Sequence, residues 1–386
     1  MSWTPLATKA HARIVAANHA ARSKTKGPAI VGILPRSGPV FWRRAARLAE
    51  PGQMVYGRMD TRHRRHHQRK DDPMRILVTG GFGYIGSVLV PELLALGHDV
   101  TVFDIGWFGR HVSEHPHLTA VLGDTRDIDA VPVDGMDAII SLANVANDPC
   151  GDLDSKLTWE VNCLAIMQLA DKAARCGVKQ FLHASSGSVY GVKDEPEVTE
   201  DLPCVPISDY NKTKMVSERV LLSYADKFAL QIIRPATVCG YSPRMRLDVA
   251  VNLLTMQALA KKHITVLGGD QTRPNIHMKD IVGVFLHFLA TGDKHTGIYN
   301  AGFENISILD LAKMIVEVTP AEIEIKASND PRSYRQNSDK LLATGFAPQY
   351  GVADGIRDVA EAFRAGRLRD EDSWYNIRTM KTLPRL

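Results

Sequence analysis

Met74-Arg-Ile-Leu-Val-Thr-Gly-Gly-Phe-Gly-Tyr-Ile-Gly86 is the stretch on which the fold turns. Its apolar run Ile76-Leu77-Val78 has the character of a parallel strand buried on both faces. The run leads at once into Gly80-x-x-Gly83-x-x-Gly86, then into an apolar-periodic segment through Val88, Leu89, Leu93, Leu94 and Leu96, closed by Gly97. Glycines between a strand and a helix permit a tight turn and let the backbone approach a pyrophosphate at the helix N-terminus. A turn of purely structural use is the plainer alternative. The context predicts a dinucleotide-binding βαβ unit, with Gly80, Gly83, Tyr84, Ile85 and Gly86 against the cofactor. The next strand, residues 98–103, ends in Asp104, 18 residues after Gly86. A carboxylate there accepts hydrogen bonds from an adenosine ribose and repels a 2′-phosphate, and no arginine follows it, so NAD is favoured over NADP.

Further strand ends fall in the same crevice, because ligands of open α/β sheets lie at the carboxyl ends of strands. Residues 118–122 lead to Gly123-Asp124-Thr125, and residues 137–142 end in Leu142-Ala143. Asp124, Thr125, Leu142 and Ala143 are therefore cofactor-side candidates, although a solvated loop aspartate looks the same as Asp124.

The whole chain has 386 residues, 45% apolar and 23% charged, an ordinary globular composition. No stretch approaches 18 uninterrupted apolar residues, so no helical membrane span is expected. Five cysteines, an odd number without C-x-x-C, indicate neither a disulfide framework nor a zinc cluster. They suit a reducing compartment, and a cytoplasmic location is the expectation. The net charge of +4 is an average over unlike segments. Residues 1–73 hold 15 Lys+Arg against 4 Asp+Glu, whereas residues 74–386 hold 32 against 39. The basic surplus, including the run from Arg62 to Lys70, belongs to the leader alone, and no nucleic-acid partner is expected for the acidic remainder. For the leader four readings stay open: a start set too far upstream of Met74, a disordered basic arm, an organelle presequence, or a nucleic-acid- or membrane-binding arm. Its histidines, His63, His66 and His67, read as a solvated run.

Residues 179–184 read as another strand, which delivers Ser185-Ser-Gly-Ser-Val-Tyr-Gly191. Tyr210-Asn-Lys-Thr-Lys214 follows and opens a helix, with Tyr210 and Lys214 at i and i+4 on one face. Bringing a phenol from its ordinary pKa of about 10 to neutrality costs about 4 kcal/mol. An ammonium about 4 Å away, at an effective dielectric of about 20, supplies roughly that much. Such a pair alone is more often a helix-surface contact; after a dinucleotide fingerprint it has a chemical use. Cys150, with no neighbouring histidine, reads as an incidental thiol.

Taken together, Thr79-Gly-Gly-Phe-Gly-Tyr-Ile-Gly86, Ser185 to Gly191, Tyr210 to Lys214 and Ile233-Arg-Pro-Ala-Thr-Val238 resemble the extended short-chain dehydrogenase/reductase family. Within it, the chain is similar to the NAD-dependent nucleotide-sugar epimerase/dehydratase branch over about residues 74–365. The resemblance implies a Rossmann doubly wound parallel sheet over residues 74–238, with a later contribution from about 272–300. A smaller C-terminal substrate-binding lobe and tail would fill most of 239–386. It implies Tyr210 as acid/base, Lys214 as the partner that lowers its pKa and holds the nicotinamide ribose, and Ser186 as the hydroxyl that bonds the sugar oxygen. Ser188 would face the sugar, Asn162 would be the central-helix asparagine (a structural role is the alternative), and Pro235, Thr237 and Val238 would pass the nicotinamide. Asn252 would reach the substrate diphosphate, with Arg273 and Arg332 as phosphate clamps, a task that suits a guanidinium fork. A nucleotide-diphosphate sugar is the implied substrate and a homodimer the implied assembly.

The same resemblance bears on the reaction. The family's sugar dehydratases carry Asp-Glu directly after the catalytic hydroxyl, where this chain has Gly187-Ser188. Its epimerase-reductases carry a cysteine at the position of Ser188. Redox at one carbon is left, and the leading expectation is 4-epimerisation through a transient 4-keto sugar. Keto-sugar reduction or dehydrogenation, then dehydration, are the alternatives. A non-catalytic NAD-binding scaffold has no need of Tyr210, Lys214 and Ser186, all of which are present.

Overall fold

The computed structural model describes residues 73–328 and 333–383; the leader and Arg332 lie outside the described residues. The opening motif folds as its pattern requires. β1 (Arg75–Thr79) is followed by the glycine turn, α1 (Gly86–Ala95) and β2 (Asp99–Asp104), and β1 and β2 pair in parallel. β3 (Leu118–Leu122), β4 (Ala138–Ser141), β5 (Gln180–Ala184) and β6 (Ala229–Pro235) extend the sheet, and β10 (Gly297–Ala301) closes it beside β6. The order β10-β6-β5-β4-β1-β2-β3 is parallel throughout, a doubly wound topology whose direction reverses between β1 and β4.

The helices cover both faces because their apolar residues have nowhere else to go. A short turn α2 (Asp148–Gly151) and α3 (Ser155–Trp159) lead through a π-helical turn, Glu160–Leu164, into α4 (Ala165–Arg175). Ile166, Leu169, Ala170 and Ala173 of α4 pack with Leu77, Ile139 and Phe181 on one side of the sheet. The helix α5 (Asp209–Leu222) lies on the same side, with Leu221 in that core. Leu89, Val90 and Leu93 of α1 fill the opposite side.

The remaining elements build outward. β7 (Thr237–Cys239) and β9 (Thr272–His277) join β11 (Glu304–Ser307) in a three-stranded sheet, and β8 (His263–Leu267) pairs with β12 (Glu322–Lys326). α6 (Ala250–Lys261), α8 (Ile308–Val318) and α10 (Val352–Arg364) enclose a core of their own around Val251, Leu254, Leu311, Ile315 and Ile356. α7 (Met278–Thr291) instead packs in the main core through Ile281, Phe285 and Phe288. A four-residue turn, α9 (Asp339–Leu342), and α11 (Asn376–Thr382) complete the described chain. Among the described residues no helix is long and apolar enough to cross a membrane.

Candidate active site

A cavity of about 320 Å³ opens at the carboxyl ends of β1 and β4, where the strand order reverses. Its first wall is backbone. Gly80 adopts φ +73°, and a Cβ there would stand 2.5 Å from the backbone nitrogen of Ala143. At Gly86 a Cβ would stand 2.5 Å from the carbonyl oxygen of Gly81. Only glycine allows both approaches, and they bring the start of α1 to the cavity. No side chain caps that helix, so its positive end faces the space a ligand would fill.

Gly83, Tyr84, Ile85, Asp124, Thr125, Leu142, Ala143, Pro235, Thr237 and Val238 line the cavity, together with Gly80, Gly86 and Asp104. Asp104 accepts hydrogen bonds from the backbone N–H of Phe82 at 3.0 Å and of Gly106 at 2.8 Å. Burial pushes its carboxyl up. Asp124 holds Arg126 through contacts of 2.6–3.1 Å, and the outer Nη1 of Arg126 reaches Glu160 at 2.9 Å. Burial works against the Asp124 carboxylate, but the Arg126 hydrogen bonds hold it below the ordinary carboxylate range.

The reacting groups stand on the opposite wall. Ser208 caps α5 by accepting from the backbone N–H of Asn211 at 3.2 Å, which fixes Tyr210 in the first turn and on the cavity. Ser186 caps the short turn Gly187–Tyr190, accepting from the N–H of Ser188 at 3.2 Å. The Ser186 and Ser188 hydroxyls are 2.7 Å apart, and Ser188 donates to Asn211 Oδ1 at 2.5 Å. Ser186 and Tyr210 both line the cavity, and the Ser186 hydroxyl acts on the Tyr210 phenol, favouring its ionised form. The chain thus brings together a phenol and a hydroxyl that are 24 residues apart in sequence.

Lys214, one helical turn after Tyr210, is packed into the protein. It is 2% exposed, does not line the cavity, and donates from Nζ to the carbonyl oxygen of Ala184 at 2.8 Å. Burial brings its ammonium down to about 7, against an upward pull from Glu218. Burial also raises the Tyr210 phenol, and the charge that most opposes this is Arg246, with the Ser186 hydroxyl next. Among the charges acting on the phenol, that of the Arg246 guanidinium favours the phenolate most. Glu218 is committed elsewhere: its carboxylate takes Arg234 through contacts of 2.9 and 2.7 Å and accepts from the Ser185 hydroxyl, all buried.

Two asparagines expected at ligands hold protein partners, and Arg273 is not among the residues that line the cavity. Asn162, on the π-helical turn, accepts from the Val145 N–H at 2.8 Å and donates to the Val145 carbonyl at 3.0 Å, so it braces the loop after β4. Asn252 is fully buried; it accepts from Gly240 N–H at 3.0 Å and donates to the Tyr84 hydroxyl and the Arg246 carbonyl, both at 2.9 Å. With its amide spent on protein partners, it does not reach the cavity. Arg273 sits on β9 away from the cavity wall, its Nη1 directed to the Thr272 carbonyl at 3.4 Å. Cys150 fits its plain reading: it is buried, and burial followed by the Asp248 charge pushes its thiol up to about 12.

Sequence reasoning missed Asn147, Arg244, Arg246 and Asn376, all of which line the cavity. Asn147 adopts φ +75°, caps α2 and donates to Asp248 Oδ2 at 2.8 Å. Arg246 faces Asp248 at 3.4 Å. The one sequence signal for the arginines was Arg244-Met-Arg246 shortly after a strand end. Asn376, in the C-terminal tail, had none.

The residues present fit a dinucleotide: glycine backbone at an uncapped helix start, a carboxylate at the end of β2, and a buried Arg244 Nε with no hydrogen-bond partner among the described residues. A phenol beside a hydroxyl across such a crevice defines the class, an NAD-dependent enzyme of the extended short-chain dehydrogenase/reductase type. More narrowly, the chain belongs to the NAD dependent epimerase/dehydratase family, whose profile matches residues 76–302. It is 30% identical over 317 residues to a UDP-glucose 4-epimerase of Mycolicibacterium smegmatis, covering 75% of this chain and 99% of that one. Among solved structures it is similar to a UDP-glucuronic acid 4-epimerase from Bacillus cereus in complex with UDP-glucuronic acid and NAD. The identity is 25% and the TM-score 0.68, over 76% of this chain and 99% of that one. A dTDP-glucose 4,6-dehydratase from Streptomyces venezuelae with NAD bound is equally close in sequence, at 25% identity and TM-score 0.70 over 77% and 99%.

Proposed function

We propose that the protein is an NAD-dependent nucleotide-sugar 4-epimerase. The observation that carries the reading is the Ser186–Tyr210 pair on the cavity wall, with Gly187 and Ser188, rather than carboxylates, directly after the catalytic hydroxyl. NAD, when bound, supplies the acceptor and donor of hydride. Tyr210, as phenolate, takes the proton of the sugar 4-hydroxyl, and Ser186 donates a hydrogen bond to the same oxygen as it becomes a carbonyl. Arg246 stabilises the phenolate form before transfer. Returning the proton from Tyr210 to the same oxygen, after hydride arrives on the other face, leaves the inverted alcohol and no net redox change.

The UDP-glucose and UDP-glucuronic acid 4-epimerases to which the chain is similar support a UDP-sugar as substrate. Incubation with UDP-glucose is expected to yield UDP-galactose without accumulation of NADH. No interconversion, with NADH consumed only when a 4-keto sugar is supplied, makes the protein a ketoreductase instead. A homodimer belongs to the same proposal, since Leu164 and Met167 present 45% and 41% of their surface. Light scattering of the purified protein measures it.

A further inference from the structure

Arg244 is a buried cation for which the proposed reaction has no use. It is 1% exposed. Its hydrogen bonds go to neutral acceptors, the Met245 carbonyl at 3.2 Å and Asn376 Oδ1 at 2.6 Å. Its guanidinium lies 3.9 Å over the Phe108 ring, and its Nε is buried without a partner among the described residues. Burial, and then the neighbouring Arg246 charge, bring it down to about 10. The side chain nonetheless lines the cavity.

Its position is more telling than its burial. The Arg244 backbone N–H donates to Ser87 Oγ at 3.3 Å, and the Ser242 hydroxyl donates to the Tyr84 carbonyl at 2.8 Å. Both anchors are at the glycine turn and the first turn of α1. The guanidinium is therefore held near the positive end of an uncapped helix, facing the same space. The Asp248 and Asp104 charges pull Arg244 upward but give it no hydrogen bond, so an anion between the guanidinium and the helix start is favoured.

We propose that Arg244 binds the diphosphate of the dinucleotide cofactor, and that Asn376 of the C-terminal segment aims its guanidinium. The proposal rests on the NAD-dependent reading above. A planar charged donor suits a phosphate oxygen, and the unpartnered Nε–H is the donor left over. Asn376 is itself fixed: its backbone N–H reaches Asp248 Oδ1 at 3.3 Å, Leu247 N–H donates to the Trp374 carbonyl at 2.8 Å, and the Trp374 ring stands 5.5 Å from that of His111. Residues 374–376 thus tie together the loops after β2 and β7, and the tail acts on cofactor retention. The diphosphate of a nucleotide sugar offers the same chemistry; the anchoring to Tyr84 and Ser87 favours the cofactor's.

The test compares the full-length wild type with R244Q, R244K and N376A, each freed of nucleotide. NAD is titrated calorimetrically, and UDP is then titrated into the NAD-saturated proteins. R244Q is expected to weaken NAD binding by about 10- to 100-fold, with R244K recovering part of the loss and N376A losing less. UDP affinity stays within about twofold, as expected of a group that does not touch the substrate. The nucleotide-free R244Q melts at the wild-type temperature or above it, since an unpaired buried cation has been removed; a merely structural arginine would lower it. NAD affinity unchanged in R244Q overturns the proposal, as does a loss confined to UDP, which assigns the anion to the substrate. If R244Q fails to fold, unchanged NAD affinity in N376A overturns it. A wild type that binds no NAD overturns the functional reading, and this proposal with it.

Discussion

The sheet half of the molecule, β1 to β6, and the segments after β7 build one cavity by different means. In the first, the walls are mostly backbone: a glycine turn, an uncapped helix start, and caps at Ser186 and Ser208 that set side chains by local geometry. In the second, the walls are side chains that cross between elements, such as Arg244 to Asn376 and Asn147 to Asp248. Backbone recognition leaves a short-range pattern in sequence. Side-chain recognition across elements does not, because the partner is chosen by packing.

Mutations can break this comparison. The largest effect is expected from Tyr210→Phe, which keeps the fold and the glycine wall. Turnover should fall by about 10²- to 10⁴-fold, while the NAD bound per chain, measured after release in acid, is unchanged. Intact turnover would remove Tyr210 from the chemistry. Next comes Glu218→Leu, which leaves Arg234 buried without its partner. A loss of about 3–5 kcal/mol is expected, read from chemical denaturation, and a loss below about 1 kcal/mol would show the pair to be dispensable.

Lys214→Met tests the burial of the ammonium, whose pKa the fold holds near about 7, whereas an unfolded lysine titrates near about 10.4. Between those values the unfolded chain binds more protons, so stability rises with pH across the window. Below about 7 the buried charge exacts its full cost. The variant should therefore be the more stable at pH 6, on the order of a few kcal/mol, with the gain fading towards about pH 10.4. A gain independent of pH would refute the assignment.

Asn252→Ala sharpens the contrast on the lobe side. A stability loss of about 1–3 kcal/mol is expected, because the buried Gly240 N–H loses its acceptor. KM for the sugar nucleotide stays within about twofold, as for a site that does not touch the ligand; a large KM effect would return Asn252 to the substrate. The smallest change is a displaced pH profile in Arg246→Met. The guanidinium lowers the Tyr210 phenol, so its removal raises that pKa and moves the acid limb of kcat/KM to higher pH.

Much of the site was legible for a physical reason. Gly80 and Gly86 are required by approaches of 2.5 Å that no side chain survives. Tyr210 was placed by its i, i+4 spacing from Lys214 at the opening of a helix, which the structure shows capped by Ser208. The same periodicity put Lys214 on the face of Tyr210, but only the packed structure shows the Ala184 carbonyl taking its ammonium. The backbone partners of Asn162 and Asn252 were not legible, because an amide has the same sequence letter whether its partner is a ligand or a backbone.

The sequence by itself determined the doubly wound sheet and the dinucleotide turn, and singled out Ser186 and Tyr210 as candidates, since strand runs, glycine conformations and helix starts are local properties of the chain. The tertiary structure alone decided that the Arg246 charge acts on the phenol, which protein partners Asn162 and Asn252 take, and that the C-terminal Asn376 holds a cavity arginine. Those outcomes depend on long-range packing, where burial and hydrogen-bond competition select one partner among several the sequence allows.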